Sequence, residues 1–313
     1  MQRIDSNNID IGESEIIVFS CVRNEILRLP YFLEYHRDLG VDRFIFIDNG
    51  STDGTRDYLL SQNDSNLFYT KDSYAESKCG IDWLNQLIPE FGTNHWILTL
   101  EPDELLIYPN CETINLQQLT KYLDSVEAQA MKTFLIDMYS DKAISNTHYK
   151  TSEPFRNYCN YFDSDSYYEQ DEDNIPTRGG PRDRMFWQGF NREKRSPYLI
   201  NVPLVKWRQD LKYDCGTHLI SNVNVAELIG SKQHFKFFSD FYTYTEAETQ
   251  REEHWDNAAQ YKSYWDVLSK NPQLCGIYNG SLQYIDSTQL VKLGLMKCPD
   301  SFTAFINEQS SEN

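Results

Sequence analysis

Residues 15–55 read EIIVFSCVRNEILRLPYFLEYHRDLGVDRFIFIDNGSTDGT. The run EIIVFSCV at 15–22 is apolar and rich in β-branched residues, as a buried strand requires. Leu29, Phe32, Leu33, His36 and Leu39 then recur near helical spacing, and Gly40 supplies a stop. A second apolar run, Arg43–Ile47, passes directly into the turn DNGSTDGT at 48–55. Two buried strands joined through one helix make a βαβ unit, and with it a parallel sheet.

The pattern continues outward from this unit. A short helix is expected at about 56–61, a strand at 67–70, a helix at roughly 77–90, and a strand at 95–100 that ends on EPDE, 101–104. Alternation with such short links predicts an α/β fold with a mostly parallel central sheet flanked by helices. In open sheets of this kind ligands bind beyond the carboxyl ends of the strands. Three polar turns fall at that edge: Arg23–Glu25, Asp48–Thr55 and Glu101–Glu104. The second half is less regular. Strands are expected at 131–138, 198–206 and 217–221, and a helix at 255–269. The acidic, aromatic run YFDSDSYYEQDEDN, 161–174, lies between Pro154 and Pro176 and reads as an excursion from the sheet. It lacks the sixth-position glycine of a calcium loop, so a solvated loop is the better reading, with Tyr161, Tyr167 and Tyr168 available to stack on sugars. The tail at 307–313 is polar and is expected to be disordered.

Composition narrows the function. The chain has 313 residues, 40% of them hydrophobic and 14% aromatic, enough for a sizeable core without disulfide staples. Its seven cysteines are odd in number and scattered, with no Cys-x-x-Cys pair, which fits reduced thiols in a cytosolic protein. Met1–Asn8 is polar, unlike a signal peptide. No run reaches the roughly 20 apolar residues of a membrane span. A soluble, cytoplasmic protein is expected, with peripheral docking at the inner face of the membrane left open. A net charge of −18 argues against nucleic acid as a partner. Any basic residues that bind phosphate must then be gathered in a site.

Two turns carry candidate chemistry. After the strand WILTL, Glu101 and Asp103 stand two residues apart and can aim into one cleft, where Mg²⁺ or Mn²⁺ would accept their hard oxygens. The competing reading is an acidic turn in which Asp103 caps a helix. In DNGSTDGT, short acceptors at a strand's carboxyl end can grip a ribose or base, although Asn-Gly and Asp-Gly also serve ordinary turns.

Taken together, IIVFSCVRNE, FIFIDNGSTDGT and WILTLEPDELLIYP resemble the glycosyltransferase family 2 superfamily in order and spacing. The particular likeness is to its bacterial "glycosyl transferase family 2-like" branch, whose metal motif usually reads Asp-x-Asp-Glu-Phe. The resemblance covers residues 15–110 and extends more loosely through RGGPRDRMFW, PLVKW, GTHLIS and HFKFFSDF. It implies a GT-A type domain over 15–306, with a nucleotide-binding half at 15–110, an acceptor-side half at 111–306, an irregular C-terminal extension, and an N-terminal segment at 1–14. Arg23, Asn24 and Glu25 would line the nucleotide pocket, and Asp48 and Asp53 would hold the base and ribose. Asp103 would bind the metal. Glu101 departs from the motif's first aspartate and reaches one methylene further, which leaves its contact open between metal and ribose. His218 and His234 are candidates to complete the metal shell, as late histidines do in many GT-A enzymes.

Arg178, Arg182 and Arg184 stand out in so acidic a chain and could grip a diphosphate bidentately, with Gly179 and Gly180 as a hinge. The competing reading pairs them with the acidic run before them. Asp183, Asp240 and Glu104 are the candidate general bases. The function implied is a metal-dependent, hexosyltransferase-like enzyme. It would move a sugar from a nucleotide-diphosphate donor to a glycan or lipid-linked acceptor, with inversion, in surface polysaccharide synthesis. A non-catalytic nucleotide-sugar binder is the alternative. A nucleotidyltransferase is disfavoured because VRNEILRLP contains no glycine.

Overall fold

The computed structural model describes residues 1–190, 192, 195–214 and 216–311. Strands β1 (Gln2–Arg3), β2 (Ile17–Val22), β3 (Arg43–Asp48), β4 (Ser65–Tyr69), β5 (Trp96–Thr99), β6 (Glu104–Ile107) and β7 (Ala130–Asp137) belong to a single nine-stranded sheet. Three short strands then leave it: β8 (Tyr161–Asp163), β9 (Tyr167–Gln170) and β10 (Pro176–Gly179). The chain returns through β11 (Ile200–Lys206) and β12 (Val225–His234). The excursion is therefore ordered: β9 pairs with β10, and β8 pairs with a late strand, β13 (Ser281–Gln283).

The sheet order is β1-β4-β3-β2-β5-β11-β7-β12-β6. β2, β3, β4 and β5 are mutually parallel, and β7 and β12 are parallel to each other. β11 runs antiparallel between β5 and β7, so all six of those strands point one way. This is the expected α/β class, a mostly parallel sheet flanked by helices.

Side-chain alternation decides which helix covers which face. Val18, Val22, Phe44 and Phe46 face a cluster with α1 (Leu29–Leu39), α2 (Thr55–Leu60) and α4 (Leu116–Ser125). Ile17, Phe19, Ile45 and Ile47 face the other way, against α3 (Ile81–Phe91). α1 buries Leu29, Phe32, Leu33, His36 and Leu39, the residues whose spacing marked it. Gly40 closes it at φ 104°, and a Cβ there would meet Gln117 Oε1 at 2.3 Å. Beyond β10 come α5 (Gly180–Phe186), α6 (Phe241–Arg251), α7 (Trp255–Leu268), α8 (Ser287–Lys292) and α9 (Asp300–Ser311).

Several boundaries differ from expectation. Residues 217–221 hold only an isolated bridge, Tyr213↔Ile220, and the strand lies at Val225–His234. Ser231, Lys232, Gln233 and His234 hide that strand in the sequence, because pairing on both sides buries them regardless of polarity. α3 starts at Ile81 because Lys78, Cys79 and Gly80 all have positive φ. The expected disordered tail is helical as far as Ser311, since Phe302 is buried, with Phe305 and Ile306 partly so. Residues 312–313 lie outside the described residues. The six described cysteines are free thiols, and Cys215 lies outside the described residues. No helix among the described residues is long and apolar enough to cross a membrane.

Candidate active site

The carboxyl ends of β2, β3, β5, β7 and β12 meet at one edge of the sheet, around a cleft of about 380 Å³. Strand register builds its floor. His234, the last residue of β12, lies beside Asp137 of β7 on one side and Glu104 of β6 on the other. The Phe235 amide donates to the Asp103 carbonyl at 2.7 Å, which ties the EPDE turn to the same place. Within that turn the Glu101 amide donates to Glu104 Oε2 at 3.0 Å, and Lys232 Nζ donates to Glu104 Oε1 at 2.6 Å. Glu104 is thereby committed to shaping the turn, which corrects its reading as a general base.

One carboxylate oxygen each from Glu101 and Asp103 and one ring nitrogen of His234 all lie within 4.8 Å of one another. Glu101 is exposed to the cleft while Asp103 and His234 are buried. His234 Nε2 stands 3.2 Å from Asp103 Oδ2, and Nδ1 is 2.6 Å from Asp137 Oδ1. Nδ1–H donated to Asp137 turns Nε2 toward the two carboxylates, the arrangement in which a histidine ligates a metal. Two hard oxygens and an imidazole fit Mn²⁺ or Mg²⁺. Burial alone would lower the His234 pKa, but Asp103 and Asp137 outweigh it and raise it. Burial would likewise raise Asp103, yet His234, Lys236 and Arg28 hold it well below the carboxylate range. Enclosure and the neighbours Glu104 and Asp103 push Glu101 up.

His218 lines the cleft but does not join this group. Its Nδ1 lies 2.6 Å from the Ile200 carbonyl, which can only accept, so the proton sits on Nδ1 and Nε2 carries the lone pair. Burial, followed by Lys232 and Arg182, lowers its pKa and keeps the ring neutral.

Cations gather here as well. Lys232, His234 and Lys236 alternate along β12 and its continuation, and all three line the cleft. Lys236 is buried, 3.4 Å from the Tyr261 hydroxyl. Arg28, at the start of α1, is held bidentately by Asp240 at 2.8 and 3.1 Å. Asp240 is therefore an anchor for Arg28 and not a free base. Arg23 lines the cleft and donates to the Asn49 carbonyl at 2.6 Å. Glu25 faces Arg28 at 3.6 Å. Burial pushes Glu25 up to about 8; Arg28 opposes that rise and Asp103 and Asp240 add to it.

The remaining sequence candidates, Arg182 excepted, lie behind or away from the cleft. Asp48 is fully buried, accepting from the Ser51 amide and pairing with Arg56 at 2.9 Å. Asp53 accepts from the Ile26 and Thr55 amides, and Asn24 from the Thr52 amide. Asp53 and Asn24 lock turn 23–26 onto turn 49–55 and Asp48 braces the second turn, so the three shape the cleft from behind. Arg178 pairs with Glu169 at 3.5 Å, and Arg184 grips Asp163 at 2.9 and 3.1 Å. Arg182 reaches the cleft but is paired to Asp137 at 2.7 Å. Gly179 and Gly180 are packing glycines: a Cβ on Gly179 would meet Ser166 O at 2.3 Å, and one on Gly180 would meet Tyr167 Cε1 at 2.8 Å. A diphosphate lid at 178–184 does not fit these contacts. Asp183 accepts from Tyr168 and Gln188 in a separate depression beside Trp187 and Phe190. Arg28, Lys232 and Lys236, which also reach the cleft, went unread in the sequence, although the Lys-x-His-x-Lys alternation at 232–236 carries the signal for the two lysines.

No known family model matches the chain, and a search of curated proteins returns no match. Solved structures overlap it in part. A provisionally assigned glucose-1-phosphate thymidylyltransferase of Bacillus anthracis is 12% identical, with a TM-score of 0.28 over 45% of this chain and 63% of that one. The UDP-glucose pyrophosphorylase of Acinetobacter baumannii is 8% identical, with a TM-score of 0.25 over 43% and 60%. A 4-diphosphocytidyl-2C-methyl-D-erythritol synthase is 10% identical, with a TM-score of 0.27 over 42% and 64%. This chain thus spans less than two thirds of each. Overlap so slight leaves the cleft itself as the ground for a functional reading.

Proposed function

We propose that this chain is a metal-dependent glycosyltransferase that moves a sugar from a nucleotide-diphosphate sugar to a hydroxyl of a glycan or lipid-linked acceptor. The observation that carries this reading is the convergence of Glu101, Asp103 and His234 at the sheet's carboxyl edge, beside Lys236 and Arg28, in a chain of net charge −18. Glu101, Asp103 and His234 would hold Mn²⁺ or Mg²⁺, which when bound supplies Lewis-acid stabilisation to the donor's diphosphate. Lys236 and Arg28 add positive charge where the leaving group gains negative charge. Arg23, Glu25 and Asn49 line the nucleotide side. His218, with its lone pair on Nε2, is the base in the cleft suited to take the acceptor's proton as the sugar's anomeric centre inverts. Synthesis of surface polysaccharide is the corresponding cellular role.

The test is product analysis with a panel of nucleotide sugars, using wild type and Asp103→Ala, with Mn²⁺ and with EDTA. Wild type with Mn²⁺ should release nucleoside diphosphate. Asp103→Ala with an unchanged circular dichroism spectrum should lose at least about 100-fold of that rate, since removal of one strong transition-state interaction costs about that much. Pyrophosphate exchange without nucleoside diphosphate release would mean nucleotidyl transfer instead. A donor that raises the melting temperature but is never turned over would favour the non-catalytic binder.

A further inference from the structure

Asp137 takes no part in the ligand cluster, yet its two carboxylate oxygens are committed to two different partners. Oδ1 lies 2.6 Å from His234 Nδ1, and Oδ2 accepts from Arg182 Nε at 2.7 Å. Only 1% of Asp137 and 6% of Arg182 are exposed. We infer that Asp137, fixed in turn by Arg182, is the positioning residue of the metal centre, orienting His234 so that Nε2 faces Glu101 and Asp103. The inference rests on the metal reading of those three residues.

The sheet itself sets the geometry. Asp137 and His234 end β7 and β12, which are parallel, and the two residues stand in register. In-register neighbours on parallel strands project to the same face, so the Asp–His contact follows from the pairing and not from a flexible loop. A carboxylate on Nδ1 fixes the tautomer, leaves the Nε2 lone pair free to ligate, and makes the ring a stronger donor. Arg182 then keeps the carboxylate from turning away and balances its charge. Its helix is seated by the close approach of Gly179 and Gly180 to Ser166 and Tyr167. A buried ion pair adds little net stability compared with an apolar replacement, so orientation of the ligating imidazole is the better account of a buried Arg–Asp–His chain at this edge.

Full-length wild type, Asp137→Asn, the double variant Asp137→Asn/Arg182→Gln, and His234→Ala would be titrated with Mn²⁺ by calorimetry. Co²⁺ visible spectra would report the ligand field, and circular dichroism the fold. The double variant removes the guanidinium that the single change leaves buried and unpaired, so it carries the test if Asp137→Asn is poorly folded. Folded variants lacking the Asp137 carboxylate should bind Mn²⁺ about 10–100-fold more weakly than wild type and shift the Co²⁺ spectrum. Mn²⁺ affinity within twofold of wild type and an unmoved Co²⁺ spectrum in the double variant would overturn the assignment and make the chain merely structural. Wild type that fails to bind Mn²⁺, with His234→Ala indistinguishable from it, would instead remove the metal reading and this inference together.

Discussion

Glu25 lines the cleft with its Oε2 buried and lacking a hydrogen-bond partner. With the pKa raised to about 8 from an ordinary 4.5, it carries a proton at neutral pH and offers a donor to a bound ligand. The raised value also makes a stability statement. The folded state holds this proton between about pH 4.5 and 8 while the unfolded chain has released it. The contribution is therefore fully present below pH 4.5 and is lost as pH rises through 8, with a slope of at most about 1.4 kcal/mol per pH unit. Urea unfolding in EDTA should show wild type losing stability relative to Glu25→Gln from about pH 5 to 8. Parallel profiles would mean that Glu25 titrates normally. At this scale the sequence was most legible where chemistry restricts the residue type. Glu101 and Asp103 stood out through their place after a buried strand together with the neighbouring motifs, since the pair alone fits an acidic capping turn equally well. Lys236 did not, because one lysine near a strand end is ordinarily solvated, and only the sheet edge turns it inward.

Helix α5 shows how an element can gather charged residues without presenting them to a ligand. Its arginines point to three separate acids: Arg178, just before it, to Glu169, Arg182 to Asp137 and Arg184 to Asp163. Arg184 also stacks over Tyr278, 4.0 Å from its ring centre, and donates to the Gly276 carbonyl at 2.6 Å. Asp163 is fully buried, so Arg184→Met leaves an uncompensated charge and should lower stability by about 3 kcal/mol. Nucleoside diphosphate affinity should stay within twofold. Denaturant unfolding and calorimetric titration read the two quantities separately, and a selective loss of diphosphate binding would revive the lid. Elements were legible where hydrophobic period and punctuation agreed. α1 has both, an apolar stripe and Gly40. β12 has neither, because its apolar residues stop at Ile229 and its buried carboxyl end is built of Ser, Lys, Gln and His whose partners come from strands distant in sequence. α6 was equally silent, with only Phe241, Thr245 and Glu248 buried along its length.

Over the whole molecule, acidic side chains outnumber basic ones, 47 against 29, while Arg28, Lys232 and Lys236 are drawn into one cleft. An anionic donor therefore meets repulsion at a distance and attraction only on entry. These two fields respond differently to salt. Long-range repulsion is screened as the Debye length falls from about 30 Å at 0.01 M to about 8 Å at 0.15 M, while contacts with buried cations are screened much less. The association rate of a nucleoside diphosphate with Mn²⁺-loaded protein should thus rise with NaCl over that range, the reverse of the usual behaviour of an anion site. Lys236→Met should weaken equilibrium binding about 10-fold at both salt concentrations, about the loss of one charge-assisted hydrogen bond, without changing the direction of the salt effect on the rate. Stopped-flow mixing and calorimetry supply the two measurements. An association rate that falls with salt would show that the cleft's cations govern the approach as well as the contact. In that case the acidic surplus serves solubility alone, and the nucleotide is steered in from a distance.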